Sequence, residues 1–112
     1  KLVTLKKRRD FVLSNKYGHK THNKNFILQE YCNPNISDQE PTFGFTATKR
    51  IGNAVKRNRA KRRMRALILS LLKEDNILFK EKYSYVLIAK QSILKASFFE
   101  MHNQLKQCLS RL

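Results

Sequence analysis

Between Lys49 and Arg65 the chain places nine cations in 17 residues and no acid: Lys49, Arg50, Lys56, Arg57, Arg59, Lys61, Arg62, Arg63 and Arg65. Asn53 and Asn58 are interleaved with them. A guanidinium fork holds phosphate through two parallel hydrogen bonds, and an Asn amide reaches base edges or sugar hydroxyls. A helix starting within this run adds free N–H groups and the positive end of its dipole. A charge run of this kind is often only a solvated face. Here like charges sit at Arg57/Lys61, at Lys61/Arg65 and among Arg59, Arg62 and Arg63, and each weakens an isolated helix. That arrangement makes sense against a polyanion, so the expected activity is nucleic-acid binding. A smaller cluster, Lys6, Lys7, Arg8 and Arg9, lies near the start.

Catalytic chemistry is harder to find. Hydrolysis by the protein alone would need a metal site or a nucleophile with a base. The carboxylates are Asp10, Glu30, Asp38, Glu40, Glu74, Asp75, Glu81 and Glu100, and no two are spaced as a pair within an element suited to line a cleft. His19 and His22 are three apart in a polar stretch without a Cys or carboxylate at ligand spacing, and they read as solvated. His102 falls on an apolar helical stripe and reads as packed. Gly18, Gly44 and Gly52 form no phosphate-cradling motif. No catalytic residue and no metal site is expected from the protein alone.

The elements that must position the basic run are those of a small domain. The chain has 112 residues, 24 Lys plus Arg against 8 Asp plus Glu, and a net charge of +16. At 41% hydrophobic it can bury a core, and residues 1–112 are expected to form one domain. Residues 1–65 hold 17 basic and 4 acidic residues, whereas residues 66–112 hold 7 and 4. No stretch approaches the roughly 20 apolar residues of a membrane helix, so no membrane span is expected, and the preferred partner is a nucleic acid, not a membrane. Cys32 and Cys108 are too few for a disulfide scaffold and read as reduced thiols in a cytosol-like compartment. The start at Lys1 reads as trimmed or processed.

Residues 5–14, LKKRRDFVLS, read as a short basic helix with Thr4 as N-cap, broken at Tyr17-Gly18. Residues 19–25 read as extended, and Phe26–Cys32 as a strand. NPNISDQEP, residues 33–41, is a loop expected to join two antiparallel strands. Thr42–Thr48 alternates, with Phe43, Phe45 and Ala47 on one face and the small Gly44, Thr46 and Thr48 on the other. That small face leaves room for a ligand, with Phe11 either flanking it as a stacking platform or packed in the core. A long helix from Asn53 or Ala54 to Lys73 is marked by the stripe Ala60, Met64, Leu67, Ile68, Leu71 and Leu72. Asn58, Arg59, Arg62 and Arg65 fall on its opposite side. Glu74-Asp75-Asn76 ends it. Tyr83–Ala89 reads as a strand buried on both faces for part of its length. Ser97 and Glu100 form a capping box before a last helix with Phe98, Met101, His102, Leu105, Leu109 and Leu112 on one stripe.

The stretch FGFTATKRIGNAVKRNRAKRRMR, residues 43–65, closely resembles the signature of the bacterial ribonuclease P protein component: a strand, a basic loop and an "RNR" helix. The likeness extends to LKKRRDF with Phe11, to the strand at Phe26 and to Ala89-Lys90. The resemblance implies an α+β fold, a single-domain α-β-β-β-α-β-α sandwich with a left-handed βαβ crossover, like a domain of a ribosomal protein and of elongation factor G. It implies a catalytic RNA as partner, one protein per RNA, and precursor tRNA as substrate, cut by metal-dependent hydrolysis to release the 5′ leader. The Mg2+ and the active site would belong mainly to the RNA, in a bacterial cytoplasm or an organelle. Carried over by position, Lys49, Arg50, Asn53, Lys56, Arg57, Asn58, Arg59, Lys61, Arg62 and Arg65 would contact RNA. Phe11, Ile27, Thr46, Thr48 and Lys90 would line the leader cleft. Two departures stand out: Asn15 where many members have an aromatic, and Gln29 where many have Tyr, which implies weaker or less base-selective stacking. The competing class is a non-catalytic ribosomal-type or RNA-chaperone protein; a basic DNA-binding or membrane-surface protein is a third.

Overall fold

The computed structural model describes residues 2–35, 40–74 and 79–110. The order is α1 (Arg8–Tyr17), β1 (His19–His22), β2 (Phe26–Cys32), β3 (Thr42–Thr46), α2 (Ala54–Glu74), β4 (Tyr83–Ala89) and α3 (Phe98–Ser110), with single 3-10 turns at Lys49–Ile51 and Gln91–Leu94. This is the α-β-β-β-α-β-α order and the α+β class expected from the sequence. The four strands lie in the order β1-β2-β4-β3. β1 and β2 are antiparallel, as are β2 and β4, whereas β3 runs parallel to β4. Parallel neighbours cannot be joined by a tight turn, and α2 supplies the crossover.

Alternation divides the sheet into two faces. Phe26 and Leu28 of β2, Phe43 of β3, and Tyr85 and Leu87 of β4 are buried against Ala60, Met64, Leu67, Ile68 and Leu71 of α2 and Met101 and Leu105 of α3. The stripe read from α2 is therefore the core stripe, with Leu72 half-buried at its margin. Phe43, Phe79 and Tyr85 form an aromatic triangle with centroids 5.0, 5.8 and 5.1 Å apart. The other face of the sheet carries α1. Ser14 Oγ donates to Gln29 Oε1 at 2.9 Å, and the Phe11 ring sits over Gly44.

Several local expectations are corrected. The first helix begins at Arg8, not residue 5, and its cap position is Lys7, which makes no side-chain capping bond. Thr4 forms a parallel bridge to Phe43 instead. Leu5 N–H donates to Phe43 O at 2.7 Å and Phe43 N–H to Val3 O at 2.9 Å. The free edge of β3 takes the preceding chain as a partner, and these paired backbone groups outweigh an extra helical turn. The loop after β2 does join two antiparallel strands, as expected, but they are not neighbours, because β4 lies between β2 and β3; residues 36–39 of that loop, including Asp38, lie outside the described residues. So do Asp75 and Asn76 of the expected helix end and Leu112 of the last stripe. In α3, Phe98 is 39% exposed while Cys108 is buried in the core. The Ser97 cap is present, with Glu100 N–H donating to its Oγ at 3.3 Å. His102 is packed between helices: its Nδ1 is 2.9 Å from Ser70 Oγ, and its Nε2 pairs with Glu74. His19 and His22 are exposed, as a solvated reading requires.

Candidate nucleic-acid interface

The basic run becomes a surface through the way α2 starts. Gly52 has φ +136°, a backbone that side chains rarely adopt, and this turns the chain out of the Lys49–Ile51 turn. Asn53 then caps α2, its Oδ1 accepting from Lys56 N–H at 3.0 Å. The amide read as an RNA contact thus has a structural task, while the residue remains exposed. Burial of Ala60 and Met64 rotates Asn58, Arg59, Lys61, Arg62 and Arg65 outward, and all five are exposed. Lys49, Arg50 and Lys56 are exposed as well, and Arg57 is half-buried. Arg65 leans back over the Phe45 ring, 5.5 Å from its centroid. No acid lies in the first turn of α2 to offset these cations at the positive end of the dipole.

Arg63 is the exception within the run. Its Nη1 and Nη2 donate to the carbonyls of Ile93 and Ala96, each at 2.5 Å. Burial, and then the neighbouring charge of Arg59, hold its pKa below the usual arginine range. This guanidinium ties α2 to the segment after β4.

The second group of residues lies on the α1 face. Phe11 and Thr46 line a hollow of about 280 Å³ between α1 and the sheet, together with Arg8, Asn15, Gln29 and Ile88. Ile27, Thr48 and Lys90 line a second hollow of about 780 Å³ with Lys49, Arg50 and Ile88. The five expected cleft residues therefore occupy two adjoining hollows that share Ile88. Lys90 Nζ donates to the carbonyl of Asn23 at 2.5 Å, which fixes its ammonium at the end of β4. The second hollow also brings the basic loop, through Lys49 and Arg50, to the end of the α1 groove.

Phe11 is half-buried. A Cβ on Gly44 would lie 2.5 Å from its Cε1 and 2.8 Å from its Cζ, so the ring packs on the sheet and lines the groove at once. The two departures from the family pattern meet each other: Gln29 Nε2 donates to Asn15 Oδ1 at 3.2 Å while Gln29 Oε1 accepts from Ser14. A polar bridge therefore stands where the resemblance implies aromatic surface. Ile88 and Val86 were not singled out from the sequence, although the alternation of YSYVLIA puts Ser84, Val86 and Ile88 on one face. Among the described residues no three His, Cys, Asp or Glu side chains gather as a metal-holding group, and no helix is long and apolar enough to cross a membrane.

Comparison with known proteins places this geometry. The family model described as Ribonuclease P matches residues 1–112. A ribonuclease P protein component of Nitratiruptor is 34% identical over 109 residues, covering 97% of this chain and 91% of its own length. That of Erythrobacter litoralis is 32% identical over 111 residues, covering 99% and 86%. The RNase P protein of Staphylococcus aureus superposes with a TM-score of 0.75 at 26% identity, covering 98% of this chain and 94% of that one. The RNase P protein of Thermotoga maritima shares the fold, with a TM-score of 0.75 at 22% identity over 97% and 96% of the two chains. A basic strand-loop-helix signature, a four-stranded sheet with this order of helices, and a family match along the whole length converge: the chain belongs to the ribonuclease P protein component family.

Proposed function

We propose that this chain is the protein subunit of a ribonuclease P holoenzyme, pairing one protein with one catalytic RNA and assisting removal of the 5′ leader from precursor tRNA. The exposed cations of α2 and its loop bind the catalytic RNA. The groove between α1 and the sheet holds the single-stranded leader, with Phe11 as a stacking surface, Ile27, Thr46 and Thr48 as walls, and Lys90 at one end. The observation that carries this reading is that the hollow under α1 shares Ile88 with a second hollow lined by Lys49 and Arg50, which sets the leader groove beside the basic loop. A bacterial, cytoplasmic setting goes with it.

The reaction is hydrolysis of a phosphodiester with water as nucleophile, leaving the 5′ phosphate on the tRNA. The interface donors are guanidinium, ammonium and amide groups. Magnesium demands oxygen ligands in near-octahedral array, so these residues do not fit a Mg2+ site, and the proposal assigns the metal to the RNA. The protein's own part is to neutralise phosphate repulsion between the two RNAs and to fix the leader's path.

Reconstitution tests this. The protein alone is expected not to cleave precursor tRNA. Added to a bacterial ribonuclease P RNA at low magnesium, it is expected to restore cleavage and to favour leader-bearing over mature tRNA. Robust cleavage without RNA would overturn the division of labour. Equal binding of precursor and mature tRNA would assign the chain to the non-catalytic RNA-binding class.

A further inference from the structure

The face of α2 that presents Arg59 borders a cleft of about 800 Å³, closed on its far side by the segment that follows β4. Lys56 and Arg59 enter from α2, and Gln91, Ser92 and Lys95 from the link. Lys95 lies outside the basic run and outside both hollows of the leader groove.

The cleft is held in shape from two sides. Arg63 donates to the carbonyls of Ile93 and Ala96 at 2.5 Å, which anchors the link to α2. On the other side, Ser92 Oγ lies 2.8 Å from both Lys24 O and Asn25 Oδ1. The Arg63 contacts also cover two carbonyl oxygens that would otherwise repel an anion. Lys56, Arg59, Arg63 and Lys95 thus surround one space, with no carboxylate in its lining. Among the described residues none of the ion pairs reaches any of these four cations. Glu100 lines a separate, neighbouring hollow of about 350 Å³ together with Lys95 and Ser97. Four like charges around a preformed cleft repel one another until an anion enters.

We propose that this cleft is a binding site for a backbone phosphate of the RNA partner, and that Lys95 is an RNA-contacting residue in it. Arg63 is a positioning residue: its two bonds to the link set the distance between Lys95 and the α2 cations. Gln91, exposed at the rim, adds an amide donor. The site rests on the reading of α2 as the RNA-binding face and extends that face onto the link.

The test measures affinity of the full chain for a bacterial ribonuclease P RNA across a salt series. The proteins compared are the wild type, Lys95→Ala, Lys95→Arg, Arg62→Ala and Lys106→Ala, each first shown folded by circular dichroism. Lys106 is an exposed α3 cation 3.7 Å from Glu74. Lys95→Ala is expected to weaken binding several-fold and to reduce the slope of log affinity against log salt by about 1, the signature of one lost phosphate contact. Lys95→Arg is expected to keep both, and Lys106→Ala to match the wild type. If Arg62→Ala weakens binding while Lys95→Ala behaves like Lys106→Ala, the cleft is not a phosphate site and the α2 reading stands. If neither Arg62→Ala nor Lys95→Ala has an effect, both readings fall.

Discussion

The Phe11 ring lies so close to Gly44 that a Cβ on Gly44 would come within 2.5 Å of its Cε1. A helix on one side of the groove is thereby seated on β3 at the position that carries no side chain. Gly44→Ala is expected to push the ring off the sheet, costing about 1–3 kcal/mol by overpacking, and to lower the preference for leader-bearing tRNA. Chemical denaturation and the ratio of precursor to mature tRNA affinity check this. Phe11→Ala is expected to lower the same ratio; an unchanged ratio would make Phe11 a packing residue only.

Asn53 separates capping from RNA contact. Asn53→Ala is expected to cost about 1 kcal/mol of stability through loss of the bond to Lys56 N–H. Asn53→Asp keeps a capping oxygen and suits the helix dipole, so it is expected to keep the stability. It is also expected to weaken RNA binding, because it brings a negative charge to a phosphate surface. Denaturation and RNA titration of the two variants report the two roles separately.

Arg62 lies on the side of α2 away from the core, whereas Arg57 stands one turn before Ala60 on the core side, at the exposed start of the helix. Arg57→Ala with Arg62→Ala is expected to weaken RNA binding and flatten its salt dependence by about 2, with an unchanged circular dichroism spectrum. Because Arg57 is half-buried, a loss of fold would show that its stem covers apolar surface.

Glu30 is buried, and its Oε1 has no hydrogen-bond partner among the described residues. Burial raises its pKa from 4.5 to about 7, against the lowering influence of Lys80. The folded chain therefore holds this proton more tightly than the unfolded chain does. The contribution to stability is complete below about 4.5 and is lost as pH rises through about 7. Glu30→Gln is expected to remove that loss, making the variant about 1–3 kcal/mol more stable than the wild type at pH 8 and less distinct from it at pH 4. Urea denaturation at the two pH values measures the difference.

The contribution of Gln29 is expected to be structural. Gln29→Ala leaves the buried Ser14 hydroxyl and the Asn15 amide without their partner, a cost of about 1–3 kcal/mol. Thermal unfolding checks it.

The elements and their faces were legible in the sequence because each is a local pattern. The 3.6-residue spacing of Ala60, Met64, Leu67, Ile68 and Leu71 sets the core side of α2, and so decides which cations turn outward. The alternation around Phe43 likewise gives the small face over which Phe11 packs. The basic run names a polyanion without any fold, since charge is additive along the chain. What tertiary structure decided are relations between distant segments that no local pattern encodes. The sheet edge claimed residues 3–5 for pairing with Phe43 and delayed the first helix to Arg8. The insertion of β4 between β2 and β3 brought Ile88 into the floor of both hollows. Arg63, identical in type to its neighbours in the run, was turned from phosphate toward the carbonyls of Ile93 and Ala96 because it borders the core side of α2. Periodicity sets which way a side chain points, but only the packed fold determines what it meets there.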